Sequence, residues 1–183
     1  GDGGLVWVKN RTDAAGHTLQ DSLMGDNKYI VTSSANGTGT DSIRFRSITS
    51  TGFLVGQDND VGGSSKQYAS FNFKKEKGYF DLVEYTGNSD ATQTISHDLG
   101  CVPGCFMLKS FSTNGDWRVW HRSITPNTAT YGQTLNGNGA TYGTIDEFGS
   151  TDPTATQFTV GGIQNTDGVT YRCYLFAGNN TTL

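Results

Sequence analysis

The sequence predicts an all-β protein, an antiparallel β-sandwich of jelly-roll or lectin-like type built from two sequence-related halves. Three observations predict it. Gly is abundant at 25 residues and aromatic residues make up 11%, while only 16% of residues are charged, a balance that suits many short strands joined by tight turns. Apolar and polar residues alternate over stretches of about five to seven positions, the period of a half-buried strand. Four of these stretches recur in the same order roughly 100 residues later in the chain, which is how an internal repeat shows itself.

The first stretch, LVWVK at 5–9, returns as CFMLK at 105–109, with Lys9 opposite Lys109. HTLQDSL at 17–23 lines up with RVWHRSI at 118–124, which sets Leu19 against Trp120, Gln20 against His121 and Leu23 against Ile124. Leu19 and Leu23 would also suit one turn of helix, but the matching WRVWHRSI reads as a strand, and that decides for a strand in both. TGFLVG at 51–56 corresponds to TQFTVG at 156–161, with Phe53 opposite Phe158, and YASFNF at 68–73 to YRCYLF at 171–176. The repeat units run over about 5–76 and 105–178 within a single domain, 1–183. The dipeptides Asn36-Gly37, Asn114-Gly115, Asn136-Gly137 and Asn138-Gly139 tolerate positive φ and predict tight turns.

The inserted segment, 77–104, reads as two strands around a Thr-Gly-Asn-Ser turn. Nothing equivalent precedes the first unit, so one sheet edge is expected to lie open there, to be filled by an upstream segment or by another chain. An open edge is a pairing template.

The net charge of −4 and the scattered Lys and Arg provide no basic stripe to neutralise phosphates, which argues against nucleic acid as a partner. No apolar run approaches the length of a membrane span, and GDGGLVWVKN has neither a signal-peptide pattern nor an initiator Met, which points to a processed product or an excerpt of a longer polypeptide. Cys101, Cys105 and Cys173 are an odd number of cysteines with no zinc-ligand spacing, and are expected to be reduced packing residues, with a Cys105–Cys173 or Cys101–Cys173 bridge as the alternative.

The stretch STNGDWRVWHRSI at 112–124 has the look of chemistry, with Asp116, His121 and Ser123 close together. On a strand it cannot form a nucleophilic triad: alternate residues on one face are about 7 Å apart, so Asp116 lies out of reach of His121. Strand alternation places Trp120 and Ile124 on the core face and Trp117, Val119 and His121 on the other. That second set is the candidate binding patch, since aromatic side chains favour interfaces and sugar-stacking surfaces. Asp58 and Asp60 in QDNDVGG, and Asp167 in QNTDG, are the candidate metal ligands, because clustered hard oxygens before Gly are what Ca²⁺ takes. The full EF-hand spacing is missing, and a turn explains both loops equally well. Ca²⁺ is the only cofactor to consider, and otherwise none is expected. Asp146-Glu147 reads as a solvated turn, and His97 as a hydrogen bond fixing its loop.

The stretches LVWVKNRTDAAGHTLQDSLMG and YTGNSDATQTISHDLGCVPGCFMLKSFSTNGDWRVWHRSI resemble a repeat module of marine bacteriophage tail and virion-associated proteins, often found beside lectin-like sandwich domains. The string GDWRVWHRS carries most of the likeness, and Cys101 and Cys105 depart from it. The resemblance implies a non-enzymatic structural or host-contacting virion module of a tail, fibre or capsid surface. It would be assembled in the host cytoplasm and work as a homo-oligomer among other virion subunits. A carbohydrate-binding module that recognises a host-surface glycan is the alternative, and a polysaccharide-degrading enzyme a distant third, since no pair of acidic residues forms a convincing constellation.

Overall fold

The computed structural model describes residues 3–124, 132–139 and 146–178. Every regular element among them is a strand or a short 3-10 turn, and every strand pairing is antiparallel. The chain divides into two compact units, Gly1–Lys75 and Glu76–Leu183.

The first unit holds β1 (Gly4–Asn10), β2 (His17–Asp21), β3 (Lys28–Val31), β4 (Gly39–Thr40), β5 (Phe45–Thr49), β6 (Gly52–Val55) and β7 (Tyr68–Lys74). A five-stranded sheet runs β4-β3-β2-β1-β7, and β5 and β6 form a separate hairpin. Alternation along β1 turns Val6 and Val8 to one face. There they pack with Phe45 and Val61, against which Ile48, Phe53, Val55 and Tyr68 close a core between sheet and hairpin. Burying such side chains contributes about 1.5 to 3 kcal/mol each.

The second unit holds β8 (Phe80–Thr86), β9 (Gln93–Ser96), β10 (Pro103–Ser110), β11 (Arg118–His121), β12 (Gln133–Thr134), β13 (Gln157–Val160) and β14 (Thr170–Ala177). Its five-stranded sheet runs β12-β11-β10-β14-β8, and β9 pairs with β13. Phe106, Leu108, Trp120 and Cys173 from the sheet meet Ile95, Phe158 and Val160 from the β9–β13 pair in a larger, aromatic-rich core. The Phe106 ring stacks on Trp120 at 5.1 Å and tilts against Phe158 at 5.2 Å, distances at which aromatic pairs attract beyond their buried area.

The two units correspond in topology. β1 lies between β2 and β7 as β10 lies between β11 and β14, and β6 and β13 sit in the layer that covers the sheet. Lys9 Nζ donates to the carbonyl of Ala15 at 2.7 Å, and Lys109 Nζ donates to that of Gly115, each six residues ahead. Tyr68 donates to the carbonyl of Asn59 and accepts from the N–H of Gly63, and Tyr171 does the same with Ile163 and Thr166. The first and last of the four matched stretches therefore occupy matched strand positions, while the third differs in its partners, β6 pairing with β5 and β13 with β9. The second is displaced by one residue: Leu5 pairs with Asp21 and Cys105 with His121, which sets Leu19 against Val119 and the buried Gln20 against Trp120. Gln20 fills a core position because its amide donates to the carbonyls of Gly25 and Lys28. Leu23, expected in the core, lies 51% exposed in the turn after β2.

The inserted segment forms the two expected strands. β8 pairs with β14 over seven registered positions, on the side where β7, its counterpart, ends its sheet. The expected Asn-Gly turns differ: Gly115, Gly137 and Gly139 stay out of the left-handed region, which is occupied instead by Asn27, Ser65, Ser89 and Ser150 and by glycines such as Gly168 (φ 69°). Asn136 works as a clamp, accepting from the Trp117 N–H at 2.8 Å and donating to Asp116 Oδ1 at 2.9 Å.

Candidate functional site

β10 and β11 form a hairpin whose loop and far end carry the stretch 112–124. Asp116, at the entry to β11, accepts from Asn136 and lies 3.8 Å from the Arg118 guanidinium. His121 lies at the opposite end of the strand, where its Nδ1 accepts from the Ser123 N–H at 3.1 Å. Asp21 holds the matching turn in the first unit, its Oδ1 accepting from the Leu23 N–H at 2.8 Å. A separation of five residues at about 3.3 Å each keeps Asp116 and His121 some 16 Å apart. The three chemistry-bearing side chains are not brought together.

The outward patch is corrected in its main member. Trp117 is fully buried, with its ring on Tyr174 at 5.8 Å, so it offers no platform to a partner. Val119 is partly buried and His121 is exposed. The alternation itself holds: Trp120 belongs to the core and Trp117 to the other face, but that other face is also covered at this column. What remains on the surface is a recess of about 210 Å³ lined by Val102, Trp120, His121, Arg122, Ile124, Asp152 and Pro153.

Arg118 stands on the core face of β11, and a charge there needs a partner. Its Nε lies 3.2 Å from Glu147 and its Nη1 donates to Thr134 Oγ1 at 2.7 Å. Glu147 is 4% exposed and so is not part of a solvated turn; the sequence showed the arginine but not a carboxylate 29 positions away. Two further buried charges were missed. Arg172 pairs with Glu84 and lies over the Phe111 ring at 4.4 Å, and Asp81 accepts from the backbone of Leu82 and Asp98.

Two of the three loop carboxylates are engaged by a protein cation. Asp58 and Asp60 lie 3.3 and 3.5 Å from Arg44, whose guanidinium rests over Tyr29 at 4.4 Å. Asp167 is exposed in the turn before β14, where its N–H donates to Ser89 Oγ. Among the described residues no three His, Cys, Asp or Glu are grouped as a metal ion requires.

His97 is 6% exposed; its Nδ1 accepts from the Leu99 N–H and its Nε2 lies 3.3 Å from the Thr154 carbonyl, so it ties the step before β10 to the loop before β13. Burial holds its imidazole below the usual range, against the pull of that carbonyl and of Asp81. Burial also lowers the Lys109 ammonium to about 8, opposed by Asp116. The three cysteines are thiols. Burial pushes Cys105 up to about 11 and Cys173 well above its ordinary value, the opposite of a reactive cysteine.

No curated protein matches the chain, and no solved structure does. A family model matches residues 2–181, nearly the whole length, and on that match the chain belongs to the family described as a domain of unknown function, DUF7483.

Proposed function

We propose that this chain is a non-enzymatic structural module of a phage particle, a component of a tail, fibre or capsid surface that works as an oligomer. The observation that carries the reading is that Asp116 and His121 each hold a piece of the hairpin, Asp116 through Asn136 and His121 through the Ser123 N–H. A site built for turnover would leave such groups converging on a substrate. The resemblance of GDWRVWHRS to virion-associated repeats supplies the setting. The test is mass spectrometry and immunogold labelling of purified particles from a host that encodes the chain. Stoichiometric labelling of tail or capsid surface is expected; a chain found only in the particle-free fraction, or polysaccharide cleavage by the pure protein, would overturn the proposal.

A second reading rests on the recess beside β11. Arg122, His121 and Asp152 stand there beside Val102 and Pro153, a mixture of polar and apolar walls that suits a host-surface sugar. Glycan-array binding lost in Arg122→Ala would support it, and an unresponsive array would remove it.

A further inference from the structure

We infer that β7 pairs with β7 of a second copy of this chain, in antiparallel register centred on Phe71, so that two first-unit sheets join edge to edge. The inference rests on the oligomeric reading above and names the surface and the partner.

Four strands end the two large sheets among the described residues. Proteins protect such edges by making them short or by charging them. β4 and β12 are two residues each, and β8 carries the exposed Glu84. β7 has neither protection: it is seven residues long, YASFNFK, with no charge before Lys74. Its counterpart β14 has the same edge covered by β8.

The ladder fixes which groups face outward. Gln67 accepts from the Arg11 N–H at 2.7 Å and the Lys75 N–H donates to Gly3 at 3.0 Å, so the odd-numbered residues of β7 turn their backbone polar groups toward β1. With a period of two, the N–H and C=O of Tyr68, Ser70 and Asn72 point away from the sheet.

Read against its own reverse about Phe71, the strand is self-complementary. Ser70 meets Asn72 of the second copy and Asn72 meets Ser70, both outward-facing pairs that exchange backbone hydrogen bonds. Phe71 meets Phe71 at a non-hydrogen-bonded position, where facing Cα atoms are about 4.5 Å apart and side chains come closest. Phe71 is 56% exposed and has its ring 6.4 Å from Trp7, so it already stands on the sheet face where a second ring would join it. Lys74 falls opposite Tyr68, and no like charges meet.

The test uses the full chain. Sedimentation velocity is expected to show a dimer at micromolar concentration. Phe71→Lys sets two ammonium groups face to face and is expected to weaken association tenfold or more, as is Phe71→Glu. An equimolar mixture of the two is expected to restore a dimer, which native mass spectrometry would resolve as the mixed species. Phe71→Cys is expected to form a 71–71 disulfide on mild oxidation, and Asn72→Pro, which removes an outward donor and no ladder bond, to yield a monomer with an unchanged far-UV circular dichroism spectrum. A monomeric wild type would overturn both this inference and the oligomeric reading, and is the outcome expected if a strand of another protein covers β7. A wild-type oligomer that ignores Phe71→Lys and Asn72→Pro and forms no 71–71 link would overturn this inference alone.

Discussion

Glu147 and Arg118 form an ion pair with side chains only 6% and 16% exposed, joining the 3-10 turn at Asp146–Phe148 to the start of β11. Removing one partner leaves the other charge where water reaches it poorly. Glu147→Ala is expected to lose about 3 kcal/mol of stability, and the double variant Glu147→Leu with Arg118→Leu less than the sum of the two single changes. Urea unfolding with the slope held constant measures it.

Tyr68 and Tyr171 each bridge a carbonyl and an N–H of the loop before their own strand. Tyr→Phe at either position removes the bridge and keeps the ring, at an expected cost of about 1 to 2 kcal/mol. The larger loss is expected at Tyr171, which is 1% exposed. Thermal melts of the two single variants against the wild type decide the order.

His97 has its folded pKa below the ordinary 6.5, first through burial. The unfolded chain therefore binds more protons than the folded one just below pH 6.5. The contribution is fully present above that value and is lost as pH falls toward the folded pKa. Unfolding free energies at pH 7.5 and 5.5 are expected to differ more in the wild type than in His97→Gln, and the difference between the two proteins isolates the imidazole from the carboxylates.

Cys173 is a buried thiol and Cys105 a partly buried one, both with raised pKa values, and the thiolate is the species that alkylates. At pH 8 iodoacetamide is expected to label the native chain at Cys101 alone, and the urea-unfolded chain at all three positions. Intact-mass and peptide mass spectrometry would read the count and the place.

The strands were legible where alternation and spacing agree. LVWVK with CFMLK, and YASFNF with YRCYLF, match because the same backbone ladder places Lys9 with Lys109 and Tyr68 with Tyr171. HTLQDSL was misread by one position because its leucines were matched to Trp120 and Ile124. A buried Gln20, whose Nε2 donates to two carbonyls, occupies the core position in that unit, and hydrophobic matching is blind to a polar residue so bonded. Trp117 shows the other limit. Alternation tells which residues share a face, but whether a side chain there is wet depends on its neighbours across the sheet, and Tyr174, which stacks on Trp117, comes from β14, more than 50 residues away. Glu147 was hidden for the same reason: its partner is close in space and remote in sequence.

The placement of β8 has a consequence for stoichiometry. A chain with two equally receptive strand edges is bivalent, and bivalent subunits polymerise without limit. By lying along β14 and carrying the exposed Glu84, β8 leaves β7 as the one long uncharged edge of the two large sheets among the described residues, and the two-fold contact inferred above would consume that site on both partners. Growth through that contact would then stop at a pair, and any larger array would be organised by other surfaces.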